Sequence, residues 1–249
     1  MSDRVRLRIR FAKVGKIRWT SHRDVARMWE RAFRRVELPL AYSEGFSPRP
    51  KVSFGLALPT GHESVAEFLD VELRGLAGVD LDRLADRLSA ALPVGVDATA
   101  VSVLEPGTPS LQEDVTSCSW RWTAAPADGE EPVGEAEMRA RVAGVMAAPT
   151  LEVTRSRKGT QVTEDVRPGI LALEVVGDSL DGVVLEAELA AAPRAVRPAE
   201  VLSALGPGLE ERHVRRTSQW IQRHGAPQEP LLAARDDATE APHAMERAS

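Results

Sequence analysis

The chain has 249 residues, with 32 Lys and Arg against 37 Asp and Glu, a formal net charge of −5, and 43% hydrophobic content. That length suits one large domain or two small ones, and the apolar content is enough to bury a core, which argues against wholesale disorder. Its single cysteine, Cys118, excludes an internal disulfide, a cysteine-based zinc site and an iron–sulfur cluster.

In chain order, Val5, Leu7, Ile9 and Phe11 alternate with Arg6, Arg8 and Arg10, the period of a half-buried strand. Gly15 marks a turn, after which Ile17–Trp19 is expected to pair back. Ser21 with Asp24 reads as a capping-box variant. The helix that follows places Val25, Met28, Trp29, Ala32, Phe33 and Val36 on one face and Arg23, Arg27, Arg31, Arg34 and Arg35 on the other. Tyr42–Lys51, with Gly45, Pro48 and Pro50, is an extended and turning segment. Strands are predicted at Val52–Leu58, about Val65–Leu73 and Val94–Leu104, with a helix at Asp80–Leu92. This order is βαββαβ, a ferredoxin-like unit.

Pro106–Pro109 reads as a linker, and the pattern then repeats. Strands are expected at Ser117–Thr123, Thr150–Arg155, Val183–Ala190 and His213–Ile221, with helices at Glu135–Met146 and Arg197–Leu205. Ser156–Gly177 is expected as an inserted hairpin or loop. The predicted class is α+β, two ferredoxin-like units in tandem over 1–108 and 115–222. From about Arg223 the chain lacks periodicity, so 223–249 is expected to be a disordered tail. No apolar run reaches the ~18 residues of a membrane span and no signal peptide is legible. A cytoplasmic chain without a membrane partner is the expectation.

The charge is unevenly spread. Residues 1–60 carry 14 Lys and Arg against 5 Asp and Glu, a local charge of +9, while the remainder carries 18 against 32, a charge of −14. A basic segment on an acidic chain suggests a local anion-binding surface, with RNA as the expected partner. Arg6, Arg8 and Arg10 on a free sheet face, with Lys13, Lys16, Arg18, Arg49 and Lys51, form the candidate RNA site. Trp19 and Tyr42 are its candidate stacking aromatics. The competing possibility is that Asp70, Glu72 or Glu67 on the neighbouring strand neutralises the arginines. The five arginines of the first helix are the candidate partner-binding face.

The histidines His22, His62, His213, His224 and His243 show no metal-ligand spacing, and neither a metal nor a cofactor is expected. No nucleophilic triad or carboxylate pair is legible, so a non-catalytic module is the leading expectation. The enzymatic alternative is a metal-independent RNA-processing nuclease. There His22, at a helix start, would act as base beside Arg49 and Lys51.

The segments Phe11–Gly15, Ser21-His22-Arg-Asp24, Glu30–Arg35, Tyr42–Phe54, Pro59–Ser64 and Glu67–Asp70 together resemble the radical-SAM-linked (radical-SAM-associated) protein family, a bacterial domain of unknown function. Arg157–Gly159, Asp165–Pro168 and Val214–Thr217 fit the same pattern more loosely. The resemblance implies a domain fused behind, or encoded beside, a radical SAM enzyme, and it supplies no catalytic residue. This sequence lacks Cys-x3-Cys-x2-Cys, so the resemblance implies an accessory chain, either presenting RNA such as tRNA or rRNA to a separate enzyme or docking that enzyme as a scaffold.

Overall fold

The computed structural model describes residues 4–157, 159–223 and 225–231. The described residues form two compact units, one comprising 4–114 together with 228–231, the other lying within Val115–Pro227.

In the first unit the elements are β1 (Val5–Lys13), α1 (His22–Arg35), β2 (Val52–Phe54), β3 (Glu63–Leu73), α2 (Leu84–Ala91), β4 (Val96–Val103) and the short α3 (Leu111–Asp114). The strands lie in the order β4-β1-β3-β2 and every pairing is antiparallel. That is the ferredoxin-like arrangement, in which β1 and β2 run the same way with β3 between them.

Leu7, Ile9 and Phe11 of β1 and Leu69, Val71 and Leu73 of β3 meet Val25, Trp29, Ala32 and Phe33 of α1 in one core. The apolar spacing of α1 therefore does what it predicts. Phe11 packs edge-on to Trp29 at 5.0 Å between ring centres, and Trp29 lies 5.5 Å from Phe33. Ser21 caps α1, its Oγ accepting from the Asp24 amide at 3.2 Å and donating to Asp24 Oδ2 at 2.7 Å.

Gly15–Trp19 is a 3₁₀ turn and does not pair back as a strand. Gly15, at φ +71°, turns the chain, and the Thr20 amide and hydroxyl both donate to the Ile17 carbonyl, closing the turn on itself.

The second unit comprises β5 (Val115–Pro126), α4 (Glu135–Ala147), β6 (Glu152–Arg157), β7 (Thr160–Asp165), β8 (Ile170–Ser179), β9 (Gly182–Ala190), α5 (Pro198–Leu205), β10 (Leu209–Arg223) and β11 (Ala226–Gln228). Its main strands run β10-β5-β9-β8, the same order, with α4 packed against β8 and α5 against β10. Two assignments change. Thr150–Arg155 is not a strand of this sheet, because Glu152–Arg157 pairs with Thr160–Asp165 in a separate two-stranded hairpin. The second core strand is instead Ile170–Ser179, inside the expected insertion. It buries Ile170, Leu173 and Val175, and bulges at Ile170/Ala172 and Val175/Gly177 interrupt the simple alternation that would have revealed it.

Of the expected tail, 232–249 lies outside the described residues. Residues 226–231 are ordered by contacts: β11 pairs with β10, and Leu231 packs against Ala66, Phe68 and Leu111. Among the described residues no helix is long and apolar enough to cross a membrane.

Candidate functional site

The alternation of β1 sends Arg6, Arg8 and Arg10 to the face opposite the helices, as its period requires. That face is not open. Thr108–Leu111 and Glu229–Leu231 lie across it, with Leu111 and Leu231 packed on Ala66 and Phe68 of β3.

Arg8 is only 1% exposed. It forms a bidentate pair with Asp70, its direct cross-strand partner, with Nε–Oδ1 at 2.8 Å and Nη2–Oδ2 at 2.9 Å. Arg6 donates to the Thr108 carbonyl and lies 4.0 Å from Asp70. Arg10, 5% exposed, reaches Thr99 Oγ1 and Glu229 Oε1, each at 3.4 Å. The expectation of a solvent-facing arginine row is corrected here. Burying a guanidinium requires a carboxylate or carbonyl against it, and the fold supplies both.

Lys13 is likewise turned inward. At 4% exposure its ammonium donates to the carbonyls of Arg18 and Thr20, both at 3.2 Å, and thereby fastens the 3₁₀ turn. Burial lowers its pKa below the usual lysine range, partly offset by the nearby Glu67 carboxylate. Lys51 pairs with Glu72 at 3.1 Å and Arg18 with Glu63 at 3.5 Å. Of the eight expected cations, Lys16 and Arg49 are exposed without an ion pair among the described residues.

All five arginines of α1 are exposed. Arg27 pairs with Asp24, Arg34 with Glu30, and Arg35 donates to the Ala91 carbonyl. Arg23 and Arg31 are without a partner among the described residues.

At the N-terminal end of α1 the 3₁₀ turn presents Trp19, which is 64% exposed. Its ring rests against Gly61, where a Cβ would sit 2.9 Å from a ring carbon, and Gly61 stands at φ +91°. Both facts demand glycine there. The Gly61 amide donates to the Arg18 carbonyl at 2.9 Å, and the Arg18 guanidinium lies 5.3 Å from the Trp19 ring centre. Arg18 thus lies against an aromatic that is held in place yet exposed, with Lys16 three residues before it and Arg23 four after it in the chain.

Beside this turn is a cleft lined by Phe11, Lys13, Val25, Phe54, Leu58 and Glu67, with His22 also on its wall. His22 is exposed, with its ring edge-on to Phe54 at 5.0 Å. Neither Arg49 nor Lys51 lines the cleft. Lys51 lies three residues before Phe54, roughly 10 Å along an extended chain, where it pairs with Glu72. The structure therefore does not assemble His22 with Arg49 and Lys51. Among the described residues no group of three or more His, Cys, Asp or Glu gathers as a metal site.

Two features escaped the sequence reading. Phe46 is fully exposed at the tip of a loop closed by the Tyr42–Pro50 bridge and by the Ser43 amide donating to the Arg49 carbonyl at 2.9 Å. The Gly-Phe-Ser-Pro run was its available signal. Glu229 fell in a segment read as tail and had none.

Comparison with known proteins bears on these segments. Residues 6–198 match a family described as "Uncharacterized protein conserved in bacteria (DUF2344)". The chain belongs to this family. The matched span takes in the 3₁₀ turn, α1, the cleft and the Phe46 loop. No curated protein matches the chain. Among solved structures it is similar to a chain of a Cbf5-Nop10-Gar1 complex at 16% identity and a TM-score of 0.45, covering 86% of this chain and 48% of that one. It therefore spans about half the length of that relative. A Cas6 substrate-mimic complex aligns at 19% identity and a TM-score of 0.22, covering 86% of this chain and 98% of that one. Neither likeness is close enough to carry an activity across.

Proposed function

We propose that this member of the DUF2344 family is a non-catalytic RNA-binding module, and that its contact is the Trp19 turn rather than the face of β1. The observation that carries the reading is Trp19 itself. A tryptophan 64% exposed, seated on a glycine with the Arg18 guanidinium against its ring and with exposed Lys16 and Arg23 near it in the chain, contributes little to the core. A rigid aromatic beside cations suits an unpaired base and its phosphate, since stacking contributes about 1–3 kcal/mol per base. Single-stranded segments of tRNA or rRNA are the substrate class in view.

Fluorescence anisotropy with labelled single-stranded RNA tests this at low salt. Trp19→Ala should weaken binding by about tenfold, in line with the loss of one stacked base, and the exposed position leaves folding intact. Absence of binding to single strands and to total tRNA at low salt overturns the reading. So does binding that Trp19→Ala leaves unchanged. The accessory role beside a separate radical SAM enzyme belongs to this same proposal, and its support is the sequence resemblance alone. Pull-down of a cluster-bearing enzyme that survives nuclease treatment would establish the scaffold reading in its place.

A further inference from the structure

Arg10 is a buried cation with a poor set of partners. Its two hydrogen bonds, to Thr99 and Glu229, are both 3.4 Å long, and its Nε is buried with no hydrogen-bond partner among the described residues. By contrast Arg8, two residues away on the same face, has a short bidentate partner. A guanidinium buried this deeply is costly unless an anion occupies its fork, and one distant carboxylate oxygen does not.

The group covering it is unlike the rest of its surroundings. Asp70 and Thr99 belong to strands β3 and β4. Glu229 instead comes from a segment after β11 that is anchored on this unit by the partly buried Leu231 against Ala66, Phe68 and Leu111. Arg6, on the same side of β1, is only part-buried.

The geometry points to a second anion site at Arg10, with Thr99 beside it, that accepts an RNA phosphate once Glu229 is displaced and that Glu229 holds closed in the wild-type chain. The 229–231 strap is then a built-in competitor. A phosphodiester with two free oxygens would meet Nε and Nη2 of Arg10 together, which the single Glu229 oxygen does not. This inference rests on the reading above that the chain binds RNA, and it extends that binding to β1.

The test uses the full chain and a labelled single-stranded oligoribonucleotide, with anisotropy titrations at several salt concentrations. Glu229→Ala should tighten binding by about tenfold, the order of one charge-assisted hydrogen bond. It should also steepen the slope of log K against log salt by about 0.7, the value for one further phosphate on a single strand. Asp82→Ala, which removes an exposed carboxylate elsewhere in the same unit, should do neither.

Arg10→Lys in the Glu229→Ala background should abolish most of the gain, because a lysine keeps the charge but not the fork. A chain ending at Pro227 should bind as Glu229→Ala does. The inference is overturned if Glu229→Ala leaves affinity and slope at wild-type values, if Asp82→Ala gives the same gain, or if the gain survives Arg10→Lys. The two readings fail separately. Wild-type binding lost in Trp19→Ala but unaffected by Glu229→Ala sinks only the strap. Binding that appears only when Glu229 is removed, and is indifferent to Trp19, sinks only the turn.

Discussion

Arg8 and Asp70 illustrate how one pair decides what a strand face can do. Both side chains are almost completely buried, with two hydrogen bonds under 3 Å between them. Removing one partner strands a charge in the interior, so Asp70→Ala should cost about 3–5 kcal/mol, read as a lowered midpoint in urea unfolding. Arg8→Met combined with Asp70→Leu should recover most of that loss, because an apolar pair leaves no charge to compensate. A double variant as unstable as Asp70→Ala would mean that the pair contributes more than mutual neutralisation. The sequence shows the alternation of β1 plainly, since period-2 order is local. Which carboxylate stands opposite Arg8 depends on the register between two strands 62 residues apart in the chain. Asp70 is visible as a candidate, but nothing local chooses between a solvated arginine and a paired one. Lys13 was misplaced for the same reason: its partners are two carbonyls of a turn that alternation does not describe.

At the scale of elements, α1 was legible from end to end because cap, apolar stripe and charged stripe all lie within one segment. The β6–β7 hairpin was legible only in part: a hairpin or loop is expected within Ser156–Gly177, but Glu152–Arg157 alternates like any core strand. What holds it is charge: Glu164 accepts from Arg155 Nη2 at 2.8 Å and Arg194 Nε at 2.9 Å, and Asp165 accepts the Leu151 and Arg167 amides at 2.8 and 2.9 Å. The hydrogen bond from Arg194 and the charge of Arg155 hold the Glu164 carboxyl below its usual 4.5. The backbone amides, Leu151 first, hold Asp165 below 3.8. A depressed carboxylate stabilises the folded form fully above its unfolded pKa, and the effect is lost as pH falls through the folded value. The hairpin should therefore loosen between about pH 4.5 and the acid side of 3.8, seen as faster amide exchange over Glu152–Asp165 before the sheet strands follow. In Glu164→Gln with Asp165→Asn that acid dependence should flatten. An acid loss over Glu152–Asp165 undiminished in the double variant would assign it to other carboxylates.

Across the whole molecule the charge is −5, yet the first 60 residues carry +9. An acidic protein gains nothing from diffuse attraction to RNA, so any binding must come from a few cations that the fold leaves unquenched. This makes the salt dependence a direct count of them, since each single-strand phosphate neutralised adds about −0.7 to the slope of log K against log salt. Were Arg6, Arg8, Arg10, Lys13, Lys16, Arg18, Arg49 and Lys51 all in contact, the slope would approach about −6 on that scale. Arg8 and Lys13 have their own partners, however, and Arg10 is covered. Contact through Arg18 at Trp19 and through its chain neighbours Lys16 and Arg23 instead gives a slope of about −2. Arg18 gives up long contacts with Glu63 at 3.5 Å and with the Gly15 carbonyl at 3.4 Å to take part, and Lys16 and Arg23 give up no ion pair among the described residues. Titrations over a range of salt should return the shallow value for the wild-type chain, and Lys16→Ala should make it shallower by about 0.7. A slope near −6 would mean that the sheet face opens fully on binding, with the Arg8–Asp70 pair broken to admit the RNA.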